Sequence, residues 1–244
     1  MQNNVPVLIV GGGPVGLTLA IDLARRGQRV LLVEQRSGPS EHPKATLLGS
    51  RSMELFRRWG LDEEIFAAAI PNEHPYYIVF TTQLAGQELH RFRSPSINEG
   101  RRRDPAALQR FRELQWSPYC KTQIGQQALE PVLRRHAERL PGLEMRHGWR
   151  FEGFTQQDDG VLVTLTELAT GVTETVRAGY LVACDGGSGE IRRTLGIRRN
   201  GRGRMRSNVS FFFRSKDFLP AHGLGLANLY FVFNPGSFGV FTAI

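Results

Sequence analysis

Three glycines near the N-terminus have the spacing of a nucleotide-binding turn. Gly11, Gly13 and Gly16 follow a short apolar run and precede an amphipathic segment. In such a pattern the first glycine permits a tight turn, the second lets the backbone approach a pyrophosphate, and the third lets a helix pack close to a sheet. The N-terminus of that helix adds unpaired N–H groups and the positive end of the helix dipole, which favour phosphate. The pattern therefore predicts a dinucleotide at this turn.

An acid supports the same interpretation. Glu34 ends the second apolar run of the chain, where a carboxylate can accept hydrogen bonds from the ribose hydroxyls of an adenosine. Its charge would repel a 2′-phosphate, which argues against NADP in this site. FAD and NAD both remain open, because both contain an ADP half.

A βαβ unit must position these residues. Residues 5–10 and 29–34 are apolar and β-branched, which predicts two buried strands, and the helical spacing of apolar residues predicts a helix over 14–26. Gly27 is placed where a glycine ends a helix. A βαβ unit implies a parallel sheet with helices packed on it.

The remaining sequence predicts further helices and strands in an interrupted order. Helices are expected over 50–59 and 123–139, with Pro131 kinking or dividing the second. Residues 94–107 are rich in Pro, Arg and Asn and predict a mobile loop. Strands are expected over 76–82, 86–93, 149–157, 160–168, 173–183, 208–215 and 228–234.

Composition and charge narrow the class of protein. The 244 residues are 41% hydrophobic and 22% charged, as in globular proteins, and contain no apolar run long enough for a transmembrane helix. No signal peptide is expected. Cys120 and Cys184 lack CxxC spacing and are expected to be buried or partly buried thiols in a reducing compartment, which predicts a cytoplasmic protein. The six histidines show no metal-ligand spacing, so no metal site is predicted.

The net charge of +8 comes almost entirely from arginine, with the densest cluster over 192–206. Binding of nucleic acid would need a recognisable module as well as basic residues. The sequence contains no such module, so no nucleic-acid partner is expected. Two interpretations of the cluster remain, a solvated loop and a region that attracts an anionic cosubstrate such as NADPH.

Four further segments carry a family resemblance: 43-PKATLLGSRSMELFRRWGL-61, 118-PYCKTQIGQQALEPVL-133, 180-YLVACDGGSGEIRRTLGI-197 and 228-NLYFVFNPGSFGVF-241. Together with the glycine turn they resemble the class A FAD-dependent aromatic monooxygenases, the family of p-hydroxybenzoate hydroxylase and of the polyketide and phenol hydroxylases. The third segment is similar to the DGxxSxVR motif of that family. The resemblance spans almost the whole chain.

The resemblance implies an α/β fold. We expect a Rossmann-like FAD-binding domain of the glutathione-reductase type, with an interleaved and incomplete β-sheet substrate domain. Residues 1–75 and 116–200 are predicted to form the FAD-binding domain. Residues 76–115 and 201–244 are predicted to form the substrate domain.

The resemblance also extends the predicted site. Lys44 matches a basic residue beside the flavin, Gln123 matches a glutamine that helps to hold FAD, and Asp185 with Gly186 matches the Asp-Gly pair that serves FAD and the pyridine nucleotide. The full predicted cofactor-binding set is Gly11, Gly13, Pro14, Val15, Gly16, Glu34, Gln35, Arg36, Lys44, Gln123, Asp185 and Gly186. No catalytic side chain is assigned.

Three departures from the family pattern stand out. Lys44 replaces the usual arginine, which keeps the charge but loses the planar fork. The serine of the third motif comes one residue early, at Ser188, and Gly189 follows it. The 244 residues contain no Gly-Asp dipeptide, although the family has a later Gly-Asp motif. We therefore expect this chain to be the N-terminal portion of a longer enzyme, and inactive by itself.

The chemistry implied by the resemblance is aromatic hydroxylation. NADPH or NADH reduces FAD, O2 forms a flavin C4a-hydroperoxide, and a hydroxyl group passes to a small phenolic or polyketide-like substrate. Alternating Phe211, Phe213, Phe231 and Phe233 are interpreted as sheet core or as the wall of an aromatic pocket. A flavin-dependent reductase or halogenase of the same fold, and a non-catalytic FAD-binding fragment, remain as alternatives. The protein is expected to be a monomer or homodimer that binds no membrane.

Overall fold

The computed structural model describes residues 4–42, 44–203 and 207–244. Pro43 of the first family segment and residues 204–206 of the basic cluster lie outside the described residues. The chain divides into two compact units, Met1–Glu41 with Leu129–Val209 and His42–Ala128 with Ser210–Ile244. Residues 42–75 and 116–128, which we assigned by function to the FAD-binding domain, therefore belong to the second compact unit. The assignment of the four segments to functional domains stays a prediction.

The elements follow one another in a mixed α/β order, as expected. The strands are β1 (Asn4–Val10), β2 (Val30–Glu34), β3 (Leu47–Leu48), β4 (Tyr76–Thr81), β5 (Glu88–Ser94), β6 (Thr122–Gln123), β7 (Leu143–His147), β8 (Trp149–Gln157), β9 (Gly160–Glu167), β10 (Thr173–Ala183), β11 (Leu229–Asn234) and β12 (Ser237–Thr242). The helices are α1 (Pro14–Arg25), α2 (Ser50–Arg58), α3 (Asp62–Ala68), α4 (Ile97–Arg102), α5 (Pro105–Arg110), α6 (Glu113–Trp116), α7 (Gln126–Ala137), α8 (Glu190–Thr194) and α9 (Phe218–His222).

A six-stranded sheet with the order β7-β2-β1-β10-β9-β8 forms the first unit. Strands β7, β2, β1 and β10 run parallel, and β10, β9 and β8 form an antiparallel meander. The predicted βαβ unit and the meander are confirmed. One face of the sheet carries the hydrophobic core of Leu8, Val10, Leu31, Val33, Val161, Val163, Leu165, Val176, Ala178 and Ile191. This sheet sets the ends of β1, β2 and β10 side by side.

The second unit contains a four-stranded sheet with the order β12-β11-β4-β5. Strand β11 runs parallel to β4, while β4 with β5 and β11 with β12 are antiparallel. Val79, Ala227 and Tyr230 form the buried centre of one face, and Phe218 of α9 packs against it. Strands β3 and β6 form a separate two-stranded sheet.

The mobile loop predicted over residues 94–107 is wrong, because this segment contains α4 and α5. Ser96 and Glu99 form a capping box at the start of α4, and the Asp104 carboxylate accepts hydrogen bonds from the first N–H groups of α5. Pro105 takes the first position of α5, where its missing N–H costs nothing. The polar residues that suggested a loop are therefore helix-capping residues.

The strand predicted over residues 208–215 is also wrong, because residues 207–215 have no regular structure. Val209 and Phe211 are 80% and 82% exposed. An alternating apolar pattern becomes a strand only when a neighbour takes its backbone hydrogen bonds, and within the described ranges no strand pairs with this segment.

Pro131 does not divide the predicted helix, since α7 runs unbroken from Gln126 to Ala137. A proline inside a helix removes one backbone hydrogen bond. The apolar face of α7, which includes Leu129, Val132 and Leu133, is fully buried and offsets this loss. In the part of the chain that the structure describes, no helix is long and apolar enough to cross a bilayer.

Candidate cofactor-binding site

The glycine turn connects β1 to α1, and backbone atoms leave no room for a side chain at Gly11 in the turn or at Gly16 in the first turn of α1. Gly11 has a φ of +111°, and a Cβ on it would overlap the carbonyl oxygen of Cys184 at the end of β10. A Cβ on Gly16 would overlap the carbonyl oxygen of Gly11. Gly11 thus lets the turn pass close to β10, and Gly16 lets α1 begin against the turn, as the pattern predicts.

The N-terminus of α1 is open to a ligand. Gly13 is the N-cap residue, and no side chain of the described residues caps this helix. Apart from chain neighbours, no described atom lies within 4 Å of the place that a Gly13 Cβ would take. Pro14 fills the first helical position, and Val15 is 72% exposed. Unpaired N–H groups at an accessible helix start suit a phosphate.

The Glu34 carboxylate lies beside this turn and is almost fully buried. Gly12 N–H donates to Oε2 over 2.7 Å, and the Arg36 N–H and Nε–H donate to Oε1 over 2.9 and 3.1 Å. Burial by itself would raise the pKa of Glu34, but these donors and the Arg36 charge outweigh it and hold the pKa below its usual value. Glu34 is therefore an ionised acceptor at the end of β2.

Asp185 follows β10 directly and lies next to the same turn. The Cys184 N–H donates to the Val10 carbonyl over 2.8 Å, which joins the ends of β10 and β1. The Asp185 carboxylate accepts a hydrogen bond from the Ile191 N–H in α8 over 3.2 Å. A Cβ on Gly189 would overlap this carboxylate, so the glycine that follows the early Ser188 leaves the space that Asp185 occupies.

The first unit thus brings together a large part of the predicted set. The glycine turn, Glu34 and Arg36 share hydrogen bonds, and Asp185 with Gly186 follows the strand that contacts the turn. Gln35 is exposed beside Glu34. Gly12, whose N–H donates to the Glu34 carboxylate, was not predicted, and its only signal in the sequence was its place as the middle one of three consecutive glycines.

Lys44 and Gln123 belong to the second unit. The Lys44 N–H donates to the Gln126 side chain over 3.2 Å. Gln123 is 2% exposed, and its Nε2 donates to the Ala243 carbonyl over 2.6 Å. Its Oε1 is buried and has no hydrogen-bond partner among the described residues. Gln123 therefore keeps one free acceptor, and its contact with a cofactor stays a prediction.

The aromatic residues singled out in the sequence separate into two groups. Phe231 and Phe233 lie on β11 and stack against Phe80 of β4, with ring centroids 5.1 and 6.0 Å away. Phe211 and Phe213 lie in the irregular segment and are 82% and 55% exposed. The prediction of alternating strand positions holds for the first pair and is wrong for the second.

Comparison with known proteins agrees with the geometry of the first unit. Residues 4–241 match the family described as FAD binding domain, and the chain belongs to this family. It is 36% identical over 245 residues to aklavinone 12-hydroxylase DnrF of Streptomyces peucetius, covering 98% of this chain and 47% of the relative. It is 34% identical over 227 residues to tetracenomycin A2 monooxygenase-dioxygenase of Streptomyces glaucescens, covering 87% of this chain and 38% of the relative.

A solved structure gives the same result at the level of the fold. The flavin-dependent monooxygenase PieE, in complex with FAD and substrate, superposes with a TM-score of 0.81 at 31% identity, covering 98% of this chain and 41% of that chain. The resemblance to FAD-dependent aromatic monooxygenases and the predicted fold class are confirmed, and FAD is the cofactor. The chain spans about half the length of the curated relatives it matches.

Proposed function

We propose that this protein is an FAD-dependent monooxygenase that uses NADPH or NADH and O2 to hydroxylate an aromatic, phenolic or polyketide-like substrate. The observation that carries the proposal is the pairing of an open, uncapped α1 N-terminus with the buried Glu34 carboxylate. A phosphate-binding helix start beside a ribose-binding acid suits the ADP half of FAD.

The side chains of the first unit have defined roles in this proposal. The N–H groups at the start of α1 bind the pyrophosphate, and Gly13 lets it approach the backbone. Glu34 accepts a hydrogen bond from the adenosine ribose. Asp185 and Gly186 at the end of β10, with Lys44 and Gln123, complete the predicted contacts. Bound FAD supplies the hydride acceptance and oxygen activation that protein side chains cannot supply.

The second unit supports an aromatic substrate. Phe80, Phe231 and Phe233 form one stack on a face of the four-stranded sheet, with interplanar angles of 10° or less for the pairs that include Phe80. Phe233 is 42% exposed, so part of the stack can contact a ligand. Flat aromatic rings stack favourably on such a surface. The relatives named above are, by their names, a 12-hydroxylase of aklavinone and a monooxygenase-dioxygenase of tetracenomycin A2.

A second candidate is FAD binding without hydroxylation. The open α1 N-terminus and the buried Glu34 carboxylate support it equally, because both serve to bind the ADP half of FAD and neither requires hydroxylation. The other expectations belong to the proposal as well: a cytoplasmic location, supported by the free thiols of Cys120 and Cys184, and a monomeric or homodimeric state.

Product analysis with isotope-labelled oxygen distinguishes the two candidates. The longer enzyme, of which this chain is expected to be the N-terminal portion, is loaded with FAD and supplied with NADPH or NADH, 18O2 and a panel of simple phenols and polycyclic phenolic polyketides. We expect a product that contains one 18O atom. We also expect oxidation of NADPH or NADH to depend on the presence of the aromatic compound. Formation of hydrogen peroxide alone, with every compound tested, would contradict hydroxylation and support the second candidate. Protein stripped of FAD is the control.

A further inference from the structure

The Glu34 carboxylate is already occupied by donors of its own chain. Its two oxygens receive three hydrogen bonds, one from Gly12 and two from Arg36. An ionised carboxylate offers about four lone-pair positions. Only about one position therefore remains for a ribose hydroxyl, and most of the acceptor capacity of Glu34 serves the protein itself.

Gly12 makes the closest of these contacts possible. A Cβ on Gly12 would lie 2.8 Å from Cβ, 3.1 Å from Cγ and 3.4 Å from Oε2 of Glu34. Any other residue at position 12 would push the Glu34 side chain away from the turn. The requirement for glycine here is steric, and it differs from the backbone requirement at Gly11.

We propose that Glu34 and Gly12 form a clamp that holds the phosphate-binding turn in shape before any nucleotide binds. Glu34 is then a positioning residue for the turn as well as a ligand for one ribose hydroxyl, and Gly12 is the residue that admits it. The inference rests on the proposed FAD site, but the clamp itself lies entirely within the chain.

An isosteric substitution separates the two roles. In Glu34→Gln the amide NH2 must replace either Oε1, which faces two Arg36 donors, or Oε2, which faces the Gly12 N–H. Either orientation sets a donor against a donor and removes the charge that strengthens these bonds. The clamp therefore fails in this variant even when no ligand is present.

The test measures the nucleotide-free protein first. The rate of amide hydrogen exchange at residue 12 and the thermal unfolding midpoint are compared for wild type, Glu34→Gln and Gly12→Ala. We expect exchange at Gly12 to become at least about tenfold faster in Glu34→Gln, and the midpoint to fall by about 3–10 °C. Gly13→Ala is the matched control, because its Cβ enters open space and should leave both quantities unchanged while weakening FAD binding.

If Glu34→Gln has the same exchange rate at residue 12 and the same unfolding midpoint as the wild type, the proposed clamp is contradicted. Glu34 would then be a ribose ligand only. If Glu34→Gln does not fold, Gly12→Ala decides, since wild-type exchange and midpoint in that variant contradict the steric argument. Titration of the wild type with FAD is a separate readout. A wild type that fails to bind FAD would contradict the proposed function without affecting the ligand-free result.

Discussion

Gly13 and Gly16 lie three residues apart in one turn, yet the structure predicts opposite outcomes for the same substitution. In Gly16→Ala the new Cβ overlaps the Gly11 carbonyl oxygen, so α1 must shift from the turn. We expect its free energy of unfolding to fall by about 1–3 kcal/mol, the range for a forced overlap in a packed region. The Cβ of Gly13→Ala enters open space, so we expect this variant to have nearly the same free energy of unfolding as the wild type. Urea denaturation of both variants without nucleotide checks the contrast, and equal losses would contradict it.

The depressed pKa of Glu34 makes the stability of the first unit depend on pH. A carboxyl whose pKa is lower in the folded than in the unfolded state stabilises the fold at every pH above its unfolded-state pKa, which is about 4.3 for glutamate. This contribution is lost as the pH falls through the lower, folded pKa. We expect the stability advantage of wild type over Glu34→Gln to shrink as the pH falls from 5 to 3. Urea denaturation across this range measures it, and a constant difference would show that ionised Glu34 does not stabilise the fold.

Much of the residue-scale site could be predicted from the sequence. Gly11, Gly16 and Glu34 are placed by their spacing along a single βαβ unit, although the atom that Gly11 approaches most closely, the Cys184 carbonyl oxygen, lies outside that unit. The roles of Gly12 and Gly189 could not be predicted, because each depends on where a carboxylate lies in the folded chain, that of Glu34 for Gly12 and that of Asp185 for Gly189.

At the scale of elements, the caps of α4 and α5 give a direct test. The Ser96 hydroxyl accepts a hydrogen bond from the Glu99 N–H over 3.1 Å, and the Glu99 carboxylate accepts one from the Ser96 N–H over 2.8 Å. Ser96→Ala should lower the free energy of unfolding by about 0.5–2 kcal/mol. Ser210→Ala, in the exposed irregular segment, is the matched control. A loss no larger than that of the control would contradict the capping role.

Helices and strands with a local sequence pattern were predicted correctly. Prediction failed where pairing with another strand determines whether a segment becomes a strand. The meander β8, β9 and β10 follows from alternation and its turns. Strand β7 (Leu143–His147) was not predicted, because its polar sequence becomes a strand through its parallel pairing with β2. Residues 208–215 have the opposite character, a strand-like sequence without a described partner.

At the scale of the whole molecule, exposed apolar surface predicts association of the 244-residue chain. Phe211 and Phe213 are 82% and 55% exposed in the irregular segment, and exposed apolar segments of this size promote contacts between chains. We expect residues 1–244 to form homodimers at micromolar concentration. The double substitution Phe211→Ser with Phe213→Ser should reduce them. Sedimentation velocity measures both, and a wild-type chain that stays monomeric would contradict the prediction.

The sequence predicted that separate segments of the chain combine in each part of the fold. The sequence indicated that two structural layers alternate along the chain, and two compact units built from alternating segments are present. The chain passes from one compact unit to the other after residues 41, 128 and 209, whereas the functional boundaries were drawn from family motifs. Motifs mark ligand contacts, while compactness follows packing, so the two divisions need not coincide.

The identity of the bound cofactor tests the central claim most directly. The purified protein is saturated with a mixture of FAD, FMN and NAD, washed, and heated to release what it retains, which chromatography then identifies. Because we propose that the glycine turn and Glu34 bind the ADP half of FAD, and the chain belongs to the FAD-binding family, we predict that FAD is released. Retention of FMN, which lacks the adenosine, or of NAD in place of FAD would contradict the account.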